Sequence, residues 1–326
     1  NMIDANDELM METMYWWGIP TLFRCEHNKD LSNCDIALVG VPHSTGNGTT
    51  ERDQHLGPRA VRNVSAGLRR VHLDFNINPW KEKKIFDLGD VALPHANNNE
   101  RCIEDITNFY TNIAKEKKPV VSIGGDHSIT GGILQGLGSN NLEMTKGKKI
   151  SFLHIDAHTD TFSQLDHFMG AKKSAAHWGA YLVDQGIINP KNSMQIGMRG
   201  NPRTLDWLQP SYDLGYNVVT MQEFKKRGIK DVIDETLDKI GDNPVYITFD
   251  LDSLDSSVAP AVSNIEPSFT GFTIDEAKAL IQSVKNKNVI GGDVVCLMPT
   301  KDQKNNITSM VAASIMFEII SVIAYE

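Results

Sequence analysis

Eight strand-like runs recur along this chain, Cys34–Gly40, Lys84–Leu88, Val120–Ile123, Ile150–Ile155, Met194–Gly197, Val218–Thr220, Val245–Phe249 and Val289–Cys296. Helical patterns lie between them, among them Asn99–Lys117, Ile229–Ile240 and Ile274–Lys285. Short apolar runs alternating with helices build βαβ units, whose parallel strands are buried on both faces. The predicted fold is therefore α/β, with a central, mainly parallel sheet of about eight strands flanked by helices. Thr273 is a predicted N-cap, and Glu276 three positions on completes a capping box. No repeat, low-complexity tract or Pro/Gly/Ser linker divides the 326 residues. One domain is expected, with residues 1–30 as an N-terminal extension or arm.

Three of the runs end in blocks of acids and histidines: Gly-Gly-Asp126-His127, Asp156-Ala-His158-Thr-Asp160 and Asp250-Leu-Asp252. In a parallel sheet the carboxyl ends of the strands share one edge, so the blocks are expected to converge. Asp156, His158 and Asp160 alternate at period two and point into one cavity; Asp250 and Asp252 repeat the arrangement. Two imidazoles and four of these carboxylates are too many ligands for one ion but suit two divalent ions that share bridging carboxylates. Without a thiolate, Mn, Ni, Fe or Co fits better than a structural zinc. Asp255 is placed to orient a ligand from behind. Each block has a bland reading: Asp-x-Asp as turn chemistry, Gly-Gly-Asp-His as a phosphate nest. Only the three together, each at a strand end, identify a binuclear metallohydrolase. Four carboxylates balance two divalent ions, and a bridging hydroxide leaves the centre near −1, which attracts a guanidinium and repels a phosphate. C–N hydrolysis of a cationic substrate follows.

Two long loops, Pro42–Pro58 and Ser256–Thr270, leave strands and are expected to rim the metal edge. The net charge of −9 without a basic run excludes a nucleic-acid footprint and agrees with a small cationic substrate. Four scattered cysteines, at 25, 34, 102 and 296, form no CxxC pair and fit buried thiols in a reduced cytoplasm. Met310–Tyr325 is apolar but reads as a core helix, so no membrane partner is expected. The start Asn1-Met2-Ile3-Asp4 lacks the charged and apolar regions of a signal peptide, and a cytoplasmic location is expected.

At these residues the chain resembles the ureohydrolase family of arginases, agmatinases and guanidinobutyrases. The resemblance rests on Gly124-Gly-Asp-His-Ser128, Asp156-Ala-His-Thr-Asp160 and Phe249-Asp-Leu-Asp-Ser-Leu-Asp255. Leu56-Gly-Pro-Arg-Ala-Val-Arg62, Gln195-Ile-Gly-Met-Arg199 and Gly292-Asp-Val-Val support it. It implies a three-layer arginase-like fold and two ions per chain, with nickel favoured and manganese the alternative. His127 and Asp160 would hold the first ion, His158 and Asp252 the second, and Asp156 and Asp250 would bridge. A bridging hydroxide, hydrogen-bonded by Asp160, would attack the guanidino carbon. His177 would pass a proton to the leaving amine, for which imidazole suits neutral pH. Glu276 would pair with the substrate guanidinium, with Glu266 the competing candidate and the capping box a structural rival. The resemblance also implies homo- or hetero-oligomers, as trimers or hexamers.

Departures from the family pattern bear on the substrate. Asp255-Ser-Ser-Val-Ala-Pro stands where a Gly/Thr-rich loop is common, Cys296 replaces an acid, and Thr248 replaces a frequent serine. The loop Gly46–His55 and His177-Trp-Gly are most similar to the guanidine- and metformin-hydrolase branch. Trp178, Phe162, Phe168 and His55 are candidate pocket residues, and the aromatics suit a compact or N-methylated guanidino group. Expected reactions are metformin to guanylurea plus dimethylamine, or guanidine to urea plus ammonia. The alternative is an agmatinase or guanidinobutyrase with a longer substrate tail. A non-catalytic subunit of a hetero-oligomer should have lost ligands, and all six are present here. A single-zinc deacetylase would leave His127 and Asp160 without a role.

Overall fold

The computed structural model describes residues 5–48, 51–138, 143–165 and 168–325. The signal-peptide reading of Asn1–Asp4, and Thr49 and Thr50 of the first long loop, lie outside the described residues.

All eight expected strands form: β1 Ile36–Val41, β2 Ile85–Asp90, β3 Val120–Gly124, β4 Ser151–Ile155, β5 Met194–Met198, β6 Asn217–Thr220, β7 Val245–Asp250 and β8 Val289–Val295. They make one sheet in the order β2-β1-β3-β8-β7-β4-β5-β6, with every neighbouring pair parallel. The strands that carry the three ligand blocks, β3, β7 and β4, are thus separated only by β8.

Side-chain alternation sends β-strand residues to two cores. Val245, Ile247 and Phe249 of β7 and Leu153 and Ile155 of β4 enter one core. Five helices close that face: α2 Gly57–Ser65, α8 Met221–Arg227, α9 Ile229–Ile240, α10 Ile274–Gln282 and α11 Ile307–Ala324. Tyr246, Phe152, Val39 and Val120 enter the other core, against α4 Asn99–Lys115, α5 Ile129–Leu137 and α6 Trp178–Asp184. The remaining helices are α1 Ala5–Met11, α3 Pro79–Glu82 and α7 Gln209–Leu214. Helix–sheet–helix layering is the arrangement the strand pattern predicts.

Helix boundaries shift where side chains cap them. α11 begins at Ile307, before the expected Met310, because the Asp302 carboxylate accepts from the amides of Thr308 (3.0 Å) and Ser309 (2.8 Å). This helix is long and apolar enough to cross a membrane, yet most of it is buried against β8, β3, α2 and α10. The capping box at α10 forms as expected, Thr273 accepting from the Glu276 amide and Glu276 accepting in return from the Thr273 amide. All four cysteines are free and buried. Burial pushes the Cys25 thiol up to about 12.

The N-terminal segment joins the body at Leu22 and Phe23. The Leu22 amide donates to Asp87 (2.9 Å) and the Phe23 amide to Ser65 (2.9 Å). Asp87 also takes a two-pronged contact from Arg62 (2.9 and 3.0 Å), so one buried carboxylate ties the segment, α2 and β2 together.

Candidate active site

The strand ends bring the ligand blocks to one place. β3 leaves through Gly124 and Gly125, and α2 approaches so closely that a Cβ on Gly57 would lie 2.3 Å from the Gly124 carbonyl oxygen. That contact explains a glycine at the start of the helix. Asp126 is spent on the turn, accepting from the amides of Ser128 and Gly46, both at 2.8 Å, and leaves the next residue to face the site. His127 Nδ1 stands 3.0 Å from Asp156 Oδ2, 3.0 Å from Asp160 Oδ2 and 3.3 Å from Asp250 Oδ2. His158 Nδ1 stands 3.1 Å from Asp252 Oδ2 and 3.5 Å from Asp156 Oδ1. Two ligand groups result, joined by Asp156.

The outer nitrogens of both imidazoles are committed. Thr248 gives its hydroxyl proton to Asp293 (2.7 Å), so at 2.8 Å its oxygen accepts from His127 Nε2. Tyr246 and Thr130 also donate to Asp293. With the proton on Nε2, the lone pair of neutral His127 lies on Nδ1 and points at three carboxylates. Nδ1 makes no well-directed hydrogen bond to any of them. A cation held there would satisfy the nitrogen and the carboxylates together. On His158, Nε2 faces Glu266 Oε1 at 2.8 Å, which likewise leaves Nδ1 for a metal.

The electrostatics agree. Burial would lower the His127 and His158 imidazoles, but the surrounding aspartates overcome it and raise both well above the usual range. Burial, then the neighbouring Asp250, pushes Asp252 well up. Burial and Asp156 raise Asp160. Burial opposes ionisation of Asp156 too, yet contacts from His127, His154 and His158 hold it well below the carboxylate range. The cluster holds more carboxylates than its two imidazoles can balance, a donor set that two divalent cations would suit.

His154 belongs to this site although its position inside β4 drew no attention in the sequence. Gln195 donates one amide proton to the Thr159 carbonyl (2.7 Å) and is 3.1 Å from His154 Nδ1. That makes Nδ1 the acceptor and leaves Nε2 to donate to Asp156 Oδ2 at 2.7 Å. His154 therefore steadies the shared carboxylate rather than joining the ligands. The strand alternation that turns His154 away from Leu153 was legible; its partner was not.

A cavity of about 370 Å³ opens over the ligands. Both long loops reach it, through Asn47 and through Ser263, Asn264 and Glu266. Phe162, Leu165, Phe168 and Trp207 supply apolar wall, with Arg203 exposed among them. Buried Arg199 holds the second loop by the carbonyl oxygens of Glu266 and Phe269 and ties it to those of Ser253 and Leu254 just before it.

Four expectations are corrected here. Glu276 lies off the cavity, held by its capping box and by Lys225 at 2.7 and 3.0 Å, whereas Glu266 lines it. Trp178 is buried behind the ligands, its ring tilted against His127 and edge-on to His154, both at 4.8 Å, and it donates to Asp160 Oδ2 at 3.1 Å. His177 is buried behind Phe168 and Ala176, its Nδ1 bound to Ser174 Oγ at 2.5 Å, and does not reach the cavity surface. His55 is exposed on its loop, 3.1 Å from Ser44 Oγ. The tight seating of Trp178 needs its neighbour to be glycine: a Cβ on Gly179 would lie 2.7 Å from the Asp160 carbonyl oxygen.

Known proteins share this construction. The chain is 30% identical to guanidinopropionase of Pseudomonas aeruginosa over 309 residues, which is 94% of this chain and 92% of the relative. It is 31% identical to an agmatinase of Escherichia coli over 297 residues, 89% of this chain and 87% of that one. Proclavaminate amidino hydrolase from Streptomyces clavuligerus superimposes with a TM-score of 0.86 at 26% identity, covering 95% of this chain and 99% of its own. Residues 34–321 match the Arginase family as a whole. A match that spans every strand of the sheet and all three ligand blocks establishes that this chain belongs to the arginase family.

Proposed function

We propose that the chain is a binuclear metal-dependent hydrolase of guanidino C–N bonds, and that its substrate is compact or N-methylated: metformin, giving guanylurea and dimethylamine, or guanidine, giving urea and ammonia. The observation that carries this reading is the pairing of one carboxylate, Glu266, with aromatic and aliphatic wall in a cavity of about 370 Å³. A guanidinium needs an anionic partner for its planar N–H groups, and methyl groups need apolar contact. Two divalent ions held by His127, Asp156, Asp160, His158, Asp250 and Asp252 would supply a water activated near neutral pH. The chain's own residues then do the positioning. Glu266 orients the cation, Asp160 offers a carboxylate beside the reacting centre, and Phe162 and Phe168 exclude bulk water. Nickel is the favoured ion and manganese the alternative.

A second reading has its own support. Arg203 on the cavity wall has no ion-pair partner among the described residues and suits a carboxylate tail. That favours a guanidino acid, such as 4-guanidinobutyrate, and agmatine is the corresponding amine. The test is turnover by nickel- and manganese-loaded enzyme of metformin, guanidine, agmatine, 3-guanidinopropionate and 4-guanidinobutyrate. Release of dimethylamine or of ammonia with kcat/KM at least tenfold above the longer substrates supports the compact-substrate reading. Dominant turnover of a long-tailed compound refutes it.

A further inference from the structure

The segments that leave the carboxyl ends of the adjacent strands β1, β3, β8 and β7 are joined by a closed ring of hydrogen bonds. The Gly125 amide donates to the Gln54 carbonyl (3.2 Å), the Cys296 amide to the Gly125 carbonyl (2.9 Å) and the Ser263 amide to the Cys296 carbonyl (3.1 Å). Gln54 Nε2 closes the ring by donating to Ser263 Oγ at 2.9 Å. Ser263 and Cys296 line the cavity, whereas Gln54 stands behind them. The Gln54 side chain is fully buried, and its Oε1 meets no donor among the described residues. A buried amide with one end unsatisfied is unfavourable, and an apolar side chain of similar size would avoid that penalty. What explains the amide is its other end.

A serine hydroxyl has one proton and two lone pairs. At Ser263 one lone pair takes the Gln54 N–H, and the proton points to the Cys296 carbonyl at 3.4 Å. The second lone pair is left for the cavity. Gln54 is itself anchored, because Asp53 just before it accepts from the Thr300 amide at 2.8 Å. Farther along the second loop, Arg199 holds the Glu266 carbonyl at 3.3 Å. One loop segment, fixed at both ends, therefore carries a neutral acceptor and a carboxylate into the same cavity. We propose that Ser263 Oγ accepts an N–H of the substrate's guanidino group and that Gln54 is the positioning residue that sets this hydroxyl. A planar guanidinium has more N–H groups than Glu266 alone can take, and a second acceptor orients its plane. The inference rests on the guanidino reading above and adds to it the contact that fixes the group's orientation.

Steady-state kinetics of Ser263→Ala, Gln54→Met and the double variant, on whichever guanidino compound the parent turns over fastest, test the pair. Ser263→Ala should raise KM about tenfold and change kcat by less than about twofold, and Ser263→Thr, which keeps the hydroxyl, should restore KM. Gln54→Met keeps the length and loses the N–H, so KM should rise about fivefold; the double variant should be no worse than Ser263→Ala alone, because the glutamine acts through the serine. An unchanged KM in either single variant, or effects that multiply in the double, overturns the proposal. Calorimetric titration with guanidinium chloride separates this contact from catalysis. Weaker binding by both single variants than by the parent upholds the contact even in a protein that turns over no guanidino compound. Equal binding by all three, or none by the parent, overturns it. Circular dichroism confirms that each variant is folded.

Discussion

The Thr248 hydroxyl lies 2.8 Å from His127 Nε2 and donates its only proton to Asp293, so it fixes which imidazole nitrogen is left to bind a cation. Three hydroxyls converge on Asp293, those of Thr248, Tyr246 and Thr130, and hold that carboxylate rigidly in the sheet. The metal site is therefore oriented from β8, a strand that contributes no ligand.

Removing that hydroxyl should loosen the ion. Thr248→Val strands both the His127 N–H and an Asp293 oxygen, and metal affinity is expected to fall about 10–100-fold. Thr248→Ser keeps the donor and should restore binding. Competition with a chromogenic chelator reads the affinity, with circular dichroism to confirm an intact fold. A valine variant that binds as tightly as the parent would remove Thr248 from the account.

Glu266 and Glu276 should separate cleanly. Glu266→Gln keeps an acceptor for His158 but loses the charge, so KM for a cationic guanidino substrate should rise at least tenfold with metal content retained. Glu266→Ala should raise KM and lower the metal content as well. Glu276→Gln weakens a partly exposed pair with Lys225 and a helix cap, which costs about 1 kcal/mol or less, and leaves KM unchanged. Denaturant unfolding together with steady-state kinetics distinguishes the pair; a KM shift confined to the Glu276 variant would return the substrate role to that residue.

The Arg62–Asp87 pair sets an acid limit. Burial opposes the Asp87 charge, but Arg62 and the amides of Leu22 and Gly89 overcome it and depress the carboxyl below its ordinary value near 3.8. A depressed folded value means that the stabilisation is complete above the unfolded value and is lost as pH falls through the folded one. Stability should therefore decline below about pH 4, measured by urea titration at stepped pH. The side chains are only 2% and 13% exposed, so Arg62→Ala leaves a buried charge unpaired and should cost about 3–5 kcal/mol near neutral pH. A loss below 1 kcal/mol would show that the pair is solvated.

Much of this protein was written in local pattern. Eight strands and the α10 capping box depend on apolar periodicity and turn chemistry within a few residues, and a parallel sheet then forces the blocks at 126–127, 156–160 and 250–252 to one edge. The meeting of the three blocks followed from that geometry because strand ends converge whatever the intervening chain does, while the choice of six ligands among them rested on the family resemblance. Which side chains face the cavity did not follow. Glu266 and Glu276 are both acids near the same block, and their roles separated only when the loop held by Arg199 brought one inward and Lys225 drew the other away. Trp178 and His177 stand beside each other in sequence and both fell behind the wall, since α6 packs its first turn into the sheet. His154, Gln195 and Asp293 are ordinary strand residues in sequence. Their hydrogen bonds run between strands that pairing brings together from distant parts of the chain, and those partners exist only once the sheet is assembled.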